Sequence, residues 1–289
     1  MLLVAFVGYE RRQVDPLLDV RVFANRAFSA AAGAISINYF ALFGFIFLIT
    51  QYFQLIRGYS PLAAGVHTLP FAAVAIVATP LGAVAALRLG ARYVVAAGLA
   101  IVALALAWGT VVSANASYFG PVIGLMIVLS LGFSLVNAPS TASVMSTLAP
   151  EQVGAGASVN ETTRELAGTL GVAVIGSVFS SLFGPRVLAT LRPYLTKGLT
   201  RAEWHVAASS TRAAQVTVAH FPAALRPVLD TRVTDAFMLG LHRGCLVASA
   251  AALAAALAVF GYLPRRAHEA RAAGLDRDLA DLALAATPD

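Results

Sequence analysis

The sequence predicts an all-α integral membrane protein, a bundle of six transmembrane helices. Three observations carry that reading. Only 12% of the 289 residues are charged and 59% are hydrophobic, against about 25% and 45–50% in an ordinary soluble domain. The mean hydropathy of +0.79 fits poorly with any soluble fold of this size. The charges are also segregated. From Phe28 to Phe183 they are Arg57, Arg88, Arg92, Arg164, Glu151, Glu161 and Glu165 alone, with long apolar runs between them.

A helix crosses about 30 Å of hydrocarbon in about 20 apolar residues. Six stretches qualify: 28–53, 63–86, 93–112, 118–147, 160–183 and 236–263. Lipid offers no partner to backbone N–H and C=O groups, so runs of this length must be helical. Most lack the broad polar face of a soluble bundle. The chain then divides into residues 1–27 (a truncated helix end and a connection), 28–183 (helices one to five), 184–235 (an extracytoplasmic loop), 236–263 (helix six) and 264–289 (a cytoplasmic tail).

The opening residues 1–9 are apolar but make only about 13 Å of helix, too short to span. Arg11 and Arg12 follow this stretch, whereas a signal peptide places its positive charge first. It reads as the last turns of a helix whose start is missing. In the first span, Asn38, Leu42 and Phe45 fall at i, i+4 and i+7 and share a face. Tyr39, Phe43 and Phe47 form a neighbouring aromatic stripe. Such a surface suits an amphipathic organic substrate. The plainer alternative bonds Asn38 to another helix and turns the aromatics to lipid.

The second span carries His67 near its outer end and contains Pro70 and Pro80. The third has no charge. In the fourth, Ser130, Ser134 and Asn137 repeat the i, i+4, i+7 pattern, with Pro121 and Pro139 as candidate bends. These polar residues either line a cavity or bond between packed helices.

The fifth span opens with Asn160-Glu161-Thr162-Thr163-Arg164-Glu165. Glu161 and Arg164 are three apart and can pair on one face. Ala167, Gly168 and Gly171 then allow close helix packing. The segment is a candidate cytoplasmic gate built on Glu161, Arg164, Glu165, Gly168 and Gly171; the alternative is an interfacial anchor. In the loop, 186–195 and 213–229 suit short interfacial helices. The alanine-rich sixth span carries His242 and Arg243 near its outer end. His67 and His242 are weak proton-relay candidates, since ionisable groups within spans are functional by default; polar interfacial residues are the alternative.

Several classes are excluded. The single cysteine, Cys245, cannot make a disulfide scaffold. No His or Cys pair has metal-ligand spacing, and no cofactor motif is present. No basic stripe with interleaved aromatics points to nucleic acid. No nucleophile–base set points to an enzyme. Arginines before span one, at 88 and 92, and after span six place both ends in the cytoplasm by the positive-inside rule. The cell (inner) membrane is the expected location. The outer loop, with seven basic residues, is long enough to escape that rule.

Four passages bear a likeness to one family: Glu10-Arg11-Arg12 with Pro16-Leu17-Leu18-Asp19 and Arg21-Val22-Phe23; Gln51-Tyr52-Phe53-Gln54 with Gly58-Tyr59-Ser60-Pro61 and Ala64-Gly65; Pro139 with Pro150-Glu151, Gly154 and Ala157-Ser158; and Thr162-Thr163-Arg164 with Gly168 and Gly171-Val172-Ala173. In this order and spacing the chain resembles the C-terminal half of a 14-span major facilitator transporter of the drug:proton antiporter-2 branch. The resemblance implies export of amphipathic drugs or metabolites by alternating access, with a small amphipathic organic substrate, the lipid bilayer and a missing N-terminal half as partners. It implies that spans one and four line the cavity, that two and five face the missing half, and that three and six are peripheral. The chain departs from the family at Leu87, where the cytoplasmic loop 87–92 should carry an acid, and at Glu165 and Ala167, where an amide and a glycine are expected. The resemblance also implies that the proton-coupling acid belongs to the missing half; no carboxylate lies deep in a span here, so coupling is not assigned to residues of this chain. A non-transporting membrane interaction subunit, or a degenerate remnant of a transporter, is the alternative.

Overall fold

The computed structural model describes residues 25–146, 153–194 and 199–262. The helix end at 1–9, the connection around Glu151 and the tail lie outside the described residues. Among the described residues, six helices are long and apolar enough to cross a membrane, at the places the hydropathy indicates.

The first, α1 (Arg26–Gln51), ends in a π-helical turn, Tyr52–Ile56, where Arg57 N–H donates to the Tyr52 carbonyl at 3.0 Å. Helix α2 (Pro61–Leu89) starts on Ser60, whose hydroxyl accepts from Ala63 N–H, and runs through Pro70 and Pro80. It stops at Gly90, at φ 91°, a conformation that disfavours side chains. One residue later α3 (Ala91–Gly109) begins. The turn at Tyr118–Val122 is broken by non-helical angles at Phe119 and Gly120 just before Pro121. It leads into α4 (Ile123–Met145).

Helix α5 (Val153–Leu191) is longer than the apolar stretch suggests and continues through Pro185. Two short helices follow, α6 (Arg201–Ser209) and α7 (Thr211–Ala219). The last, α8 (Arg226–Tyr262), starts ten residues before the expected 236. So 186–191 continues α5, and 213–229 is divided between α7 and the start of α8. Hydropathy misses these extensions because they leave the hydrocarbon: 37 residues of α8 make about 55 Å of helix against about 30 Å of apolar bilayer.

The packing has an internal symmetry. Helix α1 packs on α5 as α4 packs on α2, and α1 meets α8 as α4 meets α3. Helix α5 also packs on α8 as α2 packs on α3, while the α1–α4 and α3–α8 pairings are each self-related. Two three-helix units, α1–α2–α3 and α4–α5–α8, are thus interleaved.

Lipid tails are as apolar as leucine, so contact between helices must come from close packing and hydrogen bonds. The sequence supplies small residues at the crossings. A Cβ on Gly98 would lie 2.9 Å from the Gly132 carbonyl oxygen, and one on Gly132 would lie 2.8 Å from that of Gly98. The α3 and α4 backbones therefore touch. At the α1–α5 crossing, a Cβ on Gly171 would collide with the Phe40 carbonyl oxygen. The main core runs between these crossings and includes Phe45, Leu48, Leu106, Met126, Phe179 and Phe237. Helix α2 contributes little to it; Leu62, Leu69, Ile76, Val77, Leu81 and Leu87 are all exposed.

Candidate functional site

Two places on α1, α2, α4 and α5 hold several of the residues singled out above. The first is an apolar cleft of about 360 Å³ between α1 and α2, floored by α4. Leu42 and Phe45 line it, with Phe53, Phe71 and Met126. Thr50, Gln54 and Thr68 add hydroxyl and amide groups. A mostly apolar cleft with a few polar groups suits an amphipathic organic molecule. The sequence reading missed Thr50 and Gln54, although they are four apart and follow Ile46 on the same helical side.

The second place is a polar cluster. Arg164 reaches from α5 across to α4, where its Nη2 donates to Thr141 Oγ1 at 2.7 Å. Its guanidinium carbon lies 5.2 Å from the centroid of the Tyr39 ring of α1. The bond to Glu161 is longer, 3.4 Å. The Arg164 side chain is 16% exposed and that of Glu161 64%, so this pair contributes little and Arg164 is held mainly by α1 and α4. Thr141 in turn donates to the Asn137 carbonyl at 2.8 Å. Thr141 was not singled out from the sequence, yet it lies four residues beyond Asn137 on the Ser130–Ser134–Asn137 face.

The remaining candidates fall around these two places. Asn38 is buried, and its Nδ2 donates to the Phe133 carbonyl of α4 at 3.1 Å. It ties α1 to α4 and is not among the residues lining the cleft. Ser130 donates to the Phe71 carbonyl at 2.6 Å and so ties α4 to α2. Asn38 Oδ1, Ser134 Oγ, Asn137 Oδ1, Ser140 Oγ and Arg164 Nε are buried atoms with no hydrogen-bond partner in the structure. They gather on α1, α4 and α5. Such groups are costly unless water or a ligand meets them.

Glu165 is exposed, whereas Gly168 is buried against the Phe43 ring, 3.0 Å from an added Cβ. The aromatic stripe is half-buried and packs in part against α5. Phe43 and Phe47 pack toward α5 at Gly168 and Gly176, and Tyr39 lies under Arg164. Small residues on α5 leave room for these rings.

The two histidines sit elsewhere, each with one ring nitrogen bonded to a backbone carbonyl. His67 Nδ1 is 2.7 Å from the Ala63 oxygen, so that nitrogen carries a proton. Its ring packs on Tyr59 and Tyr118, with centroids 4.4 and 4.5 Å away. His242 Nε2 donates to Val112 at 2.8 Å and anchors the α3–α4 connection to α8.

The lobe made by α6, α7 and the extensions of α5 and α8 closes one end of the bundle. Trp204 donates to the Leu188 carbonyl at 2.8 Å, and Gln215 to the Leu55 carbonyl at 2.6 Å. Leu55 lies in the π-helical turn, so Gln215 fastens the lobe to the end of α1. Outside the spans, Glu203 is held below its ordinary pKa, first by the backbone N–H and then by the hydroxyl of Thr200, with a smaller effect from His220.

No protein-family profile matches the chain. Individual relatives do. It is 31% identical over 261 residues to the multidrug efflux pump LfrA of Mycolicibacterium smegmatis, covering 90% of this chain and 50% of that protein. It is 30% identical over 272 residues to the multidrug resistance protein Stp of Mycobacterium tuberculosis, covering 92% and 50%. The tetracenomycin C resistance and export protein of Streptomyces glaucescens is 29% identical over 266 residues, covering 89% and 48%. The chain spans about half the length of the curated relatives it matches.

Proposed function

The chain belongs with the multidrug efflux transporters of the major facilitator type, and from that premise we propose that it forms one half of the substrate path of a membrane exporter. The cargo is a small amphipathic organic compound, and the half is the C-terminal one. The observation that carries this is the α1–α2 cleft, with Leu42, Phe45, Phe53, Phe71 and Met126 around Thr50, Gln54 and Thr68. It has the composition such cargo needs and lies beside the helix whose apolar surface is least covered.

Transport proceeds by rocking this bundle against a second one around a site near the bilayer midplane. The interleaved three-helix units support that reading, because nested repeats of this kind are the building plan of such halves. The exposed apolar rows of α2 and of Leu166, Leu170 and Val174 on α5 supply the face for the partner bundle. Both ends of the chain lie in the cytoplasm, as the arginine distribution supports. The Arg164 cluster then closes the cytoplasmic side. Proton coupling rests on an acid of the partner bundle.

The test is cysteine labelling in the transporter that contains this chain, expressed in an efflux-deficient host. Cysteines at Leu42 and Phe45 should be protected by a transported lipophilic dye from a membrane-permeant maleimide, and a cysteine at Leu253, exposed on α8, should not. Equal labelling of all three with and without dye rules the cleft out as the substrate path. Absence of dye export by the intact transporter rules out the exporter reading.

A further inference from the structure

A second crevice lies between the N-terminal end of α1 and the C-terminal end of α8, apart from the cleft and the polar cluster. Its volume is about 620 Å³. Ala30 and Gly33 form much of one wall, Ala254 and Ala258 much of the other, and Arg26 and Tyr262 stand at its mouth. Gly33 is exposed, and a Cβ there would meet nothing within 4 Å. Its missing side chain therefore widens the crevice and, unlike that of Gly171, brings no helix closer.

The lining runs from Arg26 to Ile37 on α1 and from Ala251 to Tyr262 on α8. Twelve helical residues rise about 17 Å, close to half of the roughly 30 Å hydrocarbon layer. The crevice is about as long as one leaflet is deep, mostly apolar along its walls, with the cation Arg26 at one end. A second cation stands at the same end of α8, where the Arg92 guanidinium carbon lies 4.7 Å from the centroid of the Phe260 ring. Neither Arg26 nor Arg92 has an ion pair among the described residues.

We propose that this crevice is a binding site for an anionic phospholipid of the adjoining leaflet, with one acyl chain lying along the alanine walls and the phosphate facing Arg26. A gap in hydrocarbon forfeits dispersion contacts on every wall that an acyl chain restores. Basic residues at the membrane surface attract anionic headgroups. The site depends on insertion in a bilayer and not on what the protein transports.

The test uses the whole chain in nanodiscs of equal parts phosphatidylglycerol and phosphatidylethanolamine. Native mass spectrometry should find one phosphatidylglycerol retained per chain. The double variant Gly33→Leu/Ala254→Leu fills the crevice from exposed positions and should reduce retention roughly tenfold, about 1.4 kcal/mol, with its thermal unfolding unchanged. Arg26→Gln should keep a bound lipid but lose the preference for phosphatidylglycerol. A benzophenone amino acid at Ala258 should cross-link to lipid. No retained lipid, equal retention by the filled variant, or cross-links to residues 1–24, to residues 263–289 or to another polypeptide would each overturn the proposal.

Discussion

Replacing Gly171 by alanine tests the crossing that positions Arg164 over α1. The added Cβ would collide with the Phe40 carbonyl oxygen and lie 2.9 Å from both the carbonyl carbon and the Cα of Phe40. Carbon atoms rest at about 3.5–4.0 Å, so α1 and α5 must part by about 1 Å. No flexible side chain can absorb the shift, because every atom met is backbone. Overpacking a close contact costs typically about 1–3 kcal/mol, and backbone against backbone places Gly171→Ala at the upper end. At about 3 kcal/mol the folding equilibrium falls more than 100-fold. Gly176→Ala is the control on the same helix, since its Cβ would meet the Phe47 ring at 3.5 Å, an ordinary contact. Unfolding of the detergent-solubilised chain by sodium dodecyl sulfate, followed by helical circular dichroism, should separate the two variants by about 2 kcal/mol or more. A difference below about 0.5 kcal/mol would refute the reasoning.

Three further outcomes are expected. Arg164→Ala removes the 2.7 Å bond to Thr141 and the contact with Tyr39; in the intact transporter it should abolish dye export at normal membrane abundance, while Glu161→Gln, which breaks only the 3.4 Å pair, should leave export within about twofold. Ser130→Ala and Asn38→Ala each delete one interhelical bond, and each should cost about 0.6 kcal/mol for the bond, the mean for such bonds in membranes, measured by the same unfolding assay; a loss above about 3 kcal/mol would mean that these groups hold more than their single carbonyl. The depressed pKa of Glu203 has a defined sign: its stabilisation of the Thr200 cap is present above the unfolded carboxylate pKa and is lost as pH falls through the lower folded value. Amide exchange at the start of α6 should therefore quicken only in strongly acidic buffer in the native chain. With Glu203→Ala, which removes the acceptor, exchange there should be faster at neutral pH and independent of pH once corrected for intrinsic rates; a cap equally protective in both would show that the carboxylate does not matter.

How much was legible in the sequence differed between elements. All six spans were readable, because a bilayer demands a minimum apolar length whatever the neighbours are. The extensions of α5 past 183 and of α8 before 236 were not, since helix outside the hydrocarbon carries no hydropathy signal. The i, i+3 spacing of Glu161 and Arg164 indicated a pair, yet the shorter contacts of Arg164 are with Thr141 and Tyr39, 23 and 125 residues away in sequence. Helical periodicity placed Asn38, Leu42 and Phe45 on one face. That face is shared in the fold: Asn38 is used against α4, while Leu42 and Phe45 open to the cleft.

The sequence alone therefore determined that the chain is a membrane bundle, where its helices cross, and which efflux family it resembles, because these follow from transfer of apolar segments out of water and from local order along the chain. Only the tertiary structure decided which polar groups tie helices together, which line a cleft, and where a crevice is left open between α1 and α8. Those outcomes depend on the rotation and distance of each helix relative to the others. Contacts such as Gly171 with Phe40 and Gly98 with Gly132 set them, between residues that a linear reading cannot bring together.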